Sequence, residues 1–366
     1  MIEHTTPDFS GTRAPAGRHA FDVPALETHL RHSLPGFAGP LAVEQFKGGQ
    51  SNPTYKLVTP QAAYVMRSKP APRAQLLPSA HAIEREVRVM RALSASEVPV
   101  PRVHLLCEDE SVIGRAFYVM DLVEGRVLWE PSLPGMEPSE RAAIHDAANR
   151  VIAALHRVDP ASVGLADYGK PGNYFGRQIE RWIRQYRASE TQPIVAMDHL
   201  IEWLPASIPV GARESTHSCI VHGDFRIDNL VFHPCKPVVL AVLDWELSTL
   251  GHPLADFSYH CMAWHMPHTM RQGLGGLDLA ALGIPSEHDY VRRYCDRTNR
   301  AGSFDAVMAD WNFYMAYNLF RLAAILQGVA KRALDGTAAS ALARESGSQA
   351  PALAKLGWQF AQAAHD

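Results

Sequence analysis

The sequence predicts an α+β protein of two lobes, a sheet-rich N-terminal part followed by a larger, mainly helical C-terminal part. Three observations carry this. Strand-like segments cluster before residue 125, helical periodicity dominates after it, and 366 residues exceed the roughly 100–200 that one core usually organises. Segregated rather than alternating strands and helices point away from a doubly wound parallel sheet. The expected organisation is a loose arm over residues 1–20, a first lobe over 21–124 and a second over 125–366.

Each element follows from a local pattern. Residues 1–20 are rich in Thr, Gly, Pro and Ala, and a short amphipathic helix is expected near 23–34. Residues 41–47 and 54–59 read as two strands joined by Gly48-Gly49-Gln50-Ser51-Asn52-Pro53, a hairpin signal. A third strand spans 62–68, and a Pro-rich stretch follows over 69–78. Ile83, Val87, Met90 and Leu93 recur at helical spacing, predicting a helix over 81–93. Strands at 100–107 and 117–122 complete the sheet. Helices are then expected at 139–156, 173–188 and 194–204, a strand-rich island at 219–245, a long helix at 306–333 and a last one at 352–364. No internal repeat is visible.

Composition removes several classes of function. The chain is ordinarily globular, 47% hydrophobic and 20% charged. A formal net charge of −3 provides no basic field for nucleic acid or an anionic membrane, so any bound phosphate must be held by local arrangement. Cys107, Cys219, Cys235, Cys261 and Cys295 stand singly without a CxxC pair, as expected of reduced thiols in a cytoplasmic protein. The first 18 residues are polar, with Glu3 and Asp8, and lack the apolar centre of a signal peptide. No apolar run approaches the roughly 18–20 residues of a spanning helix. The expectation is a soluble cytoplasmic protein without nucleic-acid or membrane partners; its oligomeric state is left open.

Two stretches carry chemistry. The first is Val221-His222-Gly223-Asp224-Phe225-Arg226-Ile227-Asp228-Asn229-Leu230; the second is Val242-Leu243-Asp244-Trp245-Glu246, followed by Gly251-His252-Pro253 and Asp256. A strand feeds an HGD turn, another strand is expected to start at Asn229, and a third to end at Asp244. Phosphoryl transfer needs one carboxylate to orient the attacking hydroxyl and oxygen ligands to hold Mg²⁺ against phosphates. An Asp, an Asn five positions later and a second Asp after a short hairpin supply that set. Asp and Asn also cap turns routinely, which is the bland alternative.

These motifs, HGDxxxxN and hhDWE with h apolar, resemble those of the aminoglycoside phosphotransferase and choline kinase superfamily, whose fold is that of protein kinases. The resemblance extends from about Leu41 to Arg332. It implies a small-molecule kinase with Asp224 as catalytic base, Asn229 and Asp244 as metal ligands, and Asp256 as a structural carboxylate bracing the loop. The cofactors it implies are Mg²⁺ and ATP, with GTP as the alternative nucleotide. His222 is expected to hydrogen-bond the loop backbone, Asp228 to be solvent-facing or structural, and Glu246 is left without a firm role.

In the first lobe, Gly49, Ser51 and Asn52 lie where backbone and side-chain groups could cover phosphates. Kinase-type enzymes place a basic residue on the third strand, paired to a Glu on the next helix. Tyr64-Val65-Met66-Arg67 offers Arg67, with Lys69 as second choice, and Glu84-Arg85-Glu86 offers Glu86 as the partner. Arg67 departs from the family's usual Lys. The branch fused to acyl-CoA dehydrogenases commonly has Arg there and is also similar in the run Phe320-Arg321-Leu322-Ala323-Ala324-Ile325-Leu326-Gln327-Gly328-Val329. Asp121 and Val123 fall where a hinge strand would meet adenine. Arg321 is expected in an ion pair or on an anionic substrate, and His260, His265 and His268 are spaced too irregularly for a metal motif.

The resulting expectation is a phosphotransferase acting on the hydroxyl of a small molecule, a hydroxyacyl-CoA or hydroxy acid, with a functional link to an acyl-CoA dehydrogenase. The alternatives are an aminoglycoside or amino-alcohol kinase and a catalytically silent nucleotide-binding scaffold. A hydrolase using His222 and Asp224 lacks a GxSxG elbow or a nucleophilic Cys context.

Overall fold

A computed structural model describes residues 11–47, 52–70, 82–213, 218–298, 303–335 and 346–364. They group into two units: one from Met1–Ala95, Pro99–Glu124 and Ala241–Glu246, the other from Ser96–Val98, Gly125–Leu240 and Leu247–Asp366. The strand Val239–Val242 carries the chain out of the second unit, so Asp244 belongs with the N-terminal sheet despite its distance in sequence.

The first unit is built on six strands, β1 (Thr12–Arg13), β2 (Ala42–Phe46), β3 (Thr54–Val58), β4 (Ala63–Ser68), β5 (Val103–Cys107) and β6 (Phe117–Asp121), in the order β1-β2-β3-β4-β6-β5. Every neighbouring pair is antiparallel. Alternation explains the pairing: Tyr55, Leu57, Met66, Phe117 and Val119 join Leu26 and Leu30 in one apolar cluster. Leu26 and Leu30 come from the helix Val23–Ser33, where Asp22 caps the first turn by accepting the Ala25 N–H at 3.0 Å. β5 starts at Val103, later than its apolar residues suggested, because Pro101 has no N–H to give a ladder. The helix Ile83–Leu93 buries Ile83, Val87, Met90 and Leu93, the stripe read from sequence, and Glu86 with them. The Gly48–Ser51 part of the hairpin and His81 lie outside the described residues.

The second unit is mainly helical: Pro138–Arg157, Tyr174–Ser189, Val195–Ala206, Pro253–Cys261, Glu287–Thr298, Trp311–Leu334 and Ala350–Ala363 are its longer helices. Trp311–Leu334 is buried through Phe313–Leu319 and packs on Ala350–Ala363 and Tyr174–Ser189. The long helix expected over 306–333 is two helices, Phe304–Ala309 and Trp311–Leu334. Asp310 interrupts them with φ −101° and ψ 4°, outside the α region; Asp tolerates such a junction because its side chain competes for backbone groups. The strand island forms a three-stranded sheet, in which Leu230–Phe232 lies between Val239–Val242 and Arg126–Val127, and a separate antiparallel pair. Arg126–Val127 pairs with Leu230–Phe232, and Cys219–Val221 pairs with Thr249–Gly251. No described helix is long and apolar enough to cross a membrane.

Candidate active site

The loop after Cys219–Val221 is fixed by a glycine and a buried carboxylate. Gly223 sits at φ +83°, and a Cβ there would come 2.7 Å from the Leu247 carbonyl oxygen, so the middle residue of the HGD turn must be glycine. Asp256, in the first turn of Pro253–Cys261 and 2% exposed, accepts the N–H of His222 at 2.7 Å and of Gly223 at 2.8 Å. His156 Nε2 meets the same carboxylate at 3.2 Å. Burial alone would raise the Asp256 pKa; the His156 hydrogen bond and the His222 N–H outweigh it and hold the carboxyl below its ordinary value. His222 itself is fully buried and its Nδ1 accepts the Asp224 N–H at 3.2 Å, a contact within the loop.

This brace presents Asp224. Its Oδ1 accepts the Tyr259 O–H at 2.7 Å, and the Asn229 amide nitrogen donates to its backbone oxygen at 2.8 Å and to Oδ2 at 3.2 Å. Asn229 closes a 3₁₀ turn, Ile227–Asn229, so the strand begins at Leu230 rather than at Asn229. The amide nitrogen is committed to the loop, and its oxygen is the atom suited to a cation. Arg321, 6% exposed, donates to the Gly223 oxygen and stands 4.8 Å over the Tyr259 ring. It buttresses the loop from beneath and belongs to the core.

In the first unit, Arg67 on β4 gathers three carboxylates. Its Nη2 donates to Asp244 Oδ1 at 2.8 Å and to Glu246 Oε2 at 3.1 Å, while Nε lies 3.3 Å from Glu86 Oε2, near enough to pair but not aligned as a hydrogen bond. Glu86, 1% exposed, also accepts the Tyr118 O–H at 2.9 Å and the Asn52 amide at 3.0 Å. Burial raises the Glu86 pKa against the pull of Arg67. Burial would lower that of Arg67, yet Asp244, Glu86 and Glu246 keep it well above its usual value. Asp244 lies at φ +66°, a left-handed conformation that Asp adopts more readily than most residues and that is enriched where side chains must be aimed.

Several expectations change on this geometry. Asn52, expected to cover phosphates, is fully buried and gives its amide to Glu86, so its side chain serves the Arg67 cluster. Gly49 and Ser51 lie outside the described residues. Lys69, the second choice for the strand cation, pairs with Glu84, both side chains about one-third exposed. Asp121 spends its N–H on the Arg102 oxygen at 3.0 Å and its carboxylate on His104 Nε2 at 2.6 Å. Val123 is half-buried. Asp228 is buried between Arg226 and Arg271. His260 meets the Tyr290 hydroxyl and is pushed by burial down to about 3, His265 pairs with Glu287, and His268 meets the Gly275 oxygen. Among the described residues no group of three or more His, Cys, Asp or Glu side chains could hold a metal.

Tyr259, Tyr118, His156 and Arg271 were not singled out from sequence. Tyr259 follows Asp256 by three residues, so helical spacing could have found it. Tyr118 stands opposite Arg67 in the β4–β6 register, a fact available only once the strands are paired.

A braced HGD turn carrying a carboxylate and an amide, with an arginine–glutamate pair on the sheet, describes a kinase-like phosphotransferase. The chain matches the phosphotransferase enzyme family over residues 42–292 and belongs to it. It is 48% identical over 340 residues to the mouse (Mus musculus) acyl-CoA dehydrogenase family member 10, covering 92% of this chain and 31% of the relative. With the rat (Rattus norvegicus) acyl-CoA dehydrogenase family member 11 it shares 41% identity over 350 residues, 94% of this chain and 44% of the relative. The chain thus spans about a third to under half the length of these relatives. A crystal structure from Ralstonia eutropha JMP134, provisionally named an aminoglycoside phosphotransferase, matches at 58% identity and TM-score 0.83, covering 94% of this chain and 99% of that one. A microcompartment-associated aminopropanol kinase shares the fold at 17% identity and TM-score 0.59, covering 93% of this chain and 97% of that one.

Proposed function

We propose that the protein transfers the γ-phosphate of Mg-ATP, with GTP as the alternative, to a hydroxyl of a small hydroxyacyl compound. The observation that carries this reading is the Asp224 carboxylate, held by Tyr259 and Asn229 on a loop braced by Asp256. Asp224 orients the acceptor hydroxyl and takes its proton late, as a loose transition state requires little base strength. Arg67, set by Glu86, serves the nucleotide phosphates; its planar fork replaces a lysine point charge without losing the ion pair to the helix. Asp121 and Val123 flank the purine edge.

Asn229 and Asp244 offer hard oxygen donors, which fit Mg²⁺, an ion commonly bound through one or two carboxylates together with substrate phosphates. When bound, Mg²⁺ supplies charge neutralisation at the phosphates. The acyl-CoA dehydrogenase names of the relatives support a hydroxyacyl acceptor, as thioester or free acid, and a functional link to such a dehydrogenase. Phosphorylating the hydroxyl turns it into a leaving group for a later elimination. A cytoplasmic setting agrees with five cysteines outside any disulfide, four of them buried.

The test is ADP release by purified protein with Mg-ATP across hydroxyacyl-CoAs, hydroxy acids, amino alcohols and aminoglycosides, with Asp224→Asn beside it. Turnover with a hydroxyacyl acceptor that the variant abolishes supports the reading. Turnover confined to aminoglycosides overturns the acceptor class, and nucleotide binding without any turnover favours a silent scaffold.

A further inference from the structure

Beside Asp224 the second unit holds two arginines to which the phosphoryl-transfer reading gives no task. Arg226 Nε lies 3.3 Å from Asp224 Oδ1 and 3.5 Å from Asp228 Oδ1. Arg271 Nη2 donates to Asp228 Oδ2 at 2.8 Å, and its guanidinium carbon stands 5.1 Å from the centre of the Trp129 ring. Asp228 is 4% exposed along its side chain, whereas Arg226 and Arg271 are 36% and 42% exposed. Two solvent-reaching guanidinium groups therefore stand on a buried carboxylate at the edge of the Asp224 site.

The loop presenting Arg271 is tightly built. Met270 N–H donates to the Pro267 oxygen at 2.8 Å, Gly273 N–H to Met270 at 2.8 Å, Leu274 N–H to Ala263 at 2.7 Å and Gly275 N–H to Met266 at 2.8 Å. A Cβ at Gly273 would lie 2.0 Å from the Pro267 oxygen, so the loop closes only with glycine there. Gln272 Nε2 ties it to the Trp129 oxygen at 3.2 Å. A guanidinium fixed by a carboxylate on one edge and an aromatic face loses little freedom on meeting a second anion, and its fork matches carboxylate or phosphate oxygens.

We infer that Arg271, with Arg226 behind it, reads an anionic group of the acceptor, a carboxylate or a phosphate, and thereby selects acidic hydroxy compounds over cationic ones. This rests on Asp224 being the residue that orients the acceptor hydroxyl. An amino alcohol or aminoglycoside would bring its ammonium groups against two arginines, a repulsion that specificity can use as readily as attraction. Arg271 reaches Asp224 only through Asp228 and Arg226, so the anionic group sits some atoms away from the hydroxyl. Arg271 is a specificity residue, apart from the phosphoryl-transfer groups.

The experiment compares wild type, Arg271→Leu and Arg271→Lys in ADP release with three acceptors that share one hydroxyalkyl chain: the free carboxylate, its CoA thioester and its neutral primary amide. Arg271→Leu raises KM for the anionic acceptors about 10- to 100-fold, the loss expected of a charge-assisted contact, with kcat and the KM for Mg-ATP within a few-fold. Arg271→Lys, which keeps a cation on Asp228 but loses the fork, falls between. The amide is a poor acceptor in wild type and is insensitive to both changes. Whether the carboxylate or the thioester shows the larger effect identifies the source of the anion. Equal KM for amide and carboxylate, or equal loss on all three acceptors, overturns the inference. If wild type turns over none of them, the hydroxyacyl reading of the acceptor fails. The inference is then decided by thermal melting with the free hydroxy carboxylate: a stabilisation lost in Arg271→Leu upholds it, and one unchanged overturns it.

Discussion

In the first unit one guanidinium, that of Arg67, faces three carboxylates, whereas in the second one carboxylate, that of Asp256, collects two backbone N–H groups and a histidine. The Arg67 group gathers several carboxylates around one buried cation. The Asp256 group is saturated by hydrogen bonds and gains from nothing further. The first is an ion-pair cluster in the N-terminal sheet; the second is a scaffold whose work is to keep a neighbouring loop still. The same residue type, Asp, thus sits at a left-handed backbone position paired with Arg67 as Asp244 and at a buried, supporting one as Asp256.

Substitutions separate the two plans. The largest effect is expected at Asp224, which neither cluster supports electrostatically as a partner: Asp224→Asn lowers kcat by about 10²- to 10⁴-fold, the usual worth of a positioned base, with an unchanged melting midpoint. Arg67→Ala removes the cation from buried Glu86 and costs about 3–5 kcal/mol in urea unfolding, while Arg67→Lys recovers most of it. A variant Arg67→Ala as stable as wild type would show that the cluster is a ligand site with no structural share. Asp256→Asn keeps the size of the brace but loses its charge and one acceptor, and should cost about 1–3 kcal/mol, with kcat falling while the KM for nucleotide holds.

The pH dependence has opposite signs in the two clusters. The Asp256 carboxyl lies below its unfolded value of 3.8, so its contribution is complete above that pH and is lost as pH falls through the depressed folded pKa. The Glu86 carboxyl lies above its unfolded value of 4.5, so its contribution is complete below that pH and declines as pH rises through the raised folded pKa. Unfolding free energies should therefore show wild type and Asp256→Asn converging in acid, and wild type losing ground to Glu86→Gln as pH rises from 4.5. Parallel curves for both variants would remove the distinction. The smallest effect is expected at Lys69: its pair with Glu84 is about one-third exposed on each side, and Lys69→Ala should change stability by about 0–1 kcal/mol.

Much of this was legible in the linear chain. The apolar stripe of Ile83, Val87, Met90 and Leu93 fixed a helix, and the resemblance of Glu84-Arg85-Glu86 to the family's pattern selected Glu86, which lies beside Arg67, over Glu84. The order Asp224, Asn229, Asp244, Asp256 named the residues around which both clusters form. The break at Asp310 was not legible, because an acidic residue inside an apolar pattern reads as a solvent-facing helix position. Nor was the turn of Asn52 away from the loop, since a polar residue beside a glycine pair gives no sign of where its amide will be used.

Local pattern by itself determined the α+β class, because helix and strand periods and turn chemistry act over a few residues, and two motifs carried the resemblance that pointed to the family and to candidate acidic and amide residues. Only the tertiary structure decided that Asp244 joins Arg67 from 177 positions away, that Tyr259 and Tyr118 complete the two clusters, and that Arg226 and Arg271 stand on Asp228. These contacts are set by strand register, helix packing and the need of every buried charge for a partner, none of which is written in neighbouring residues.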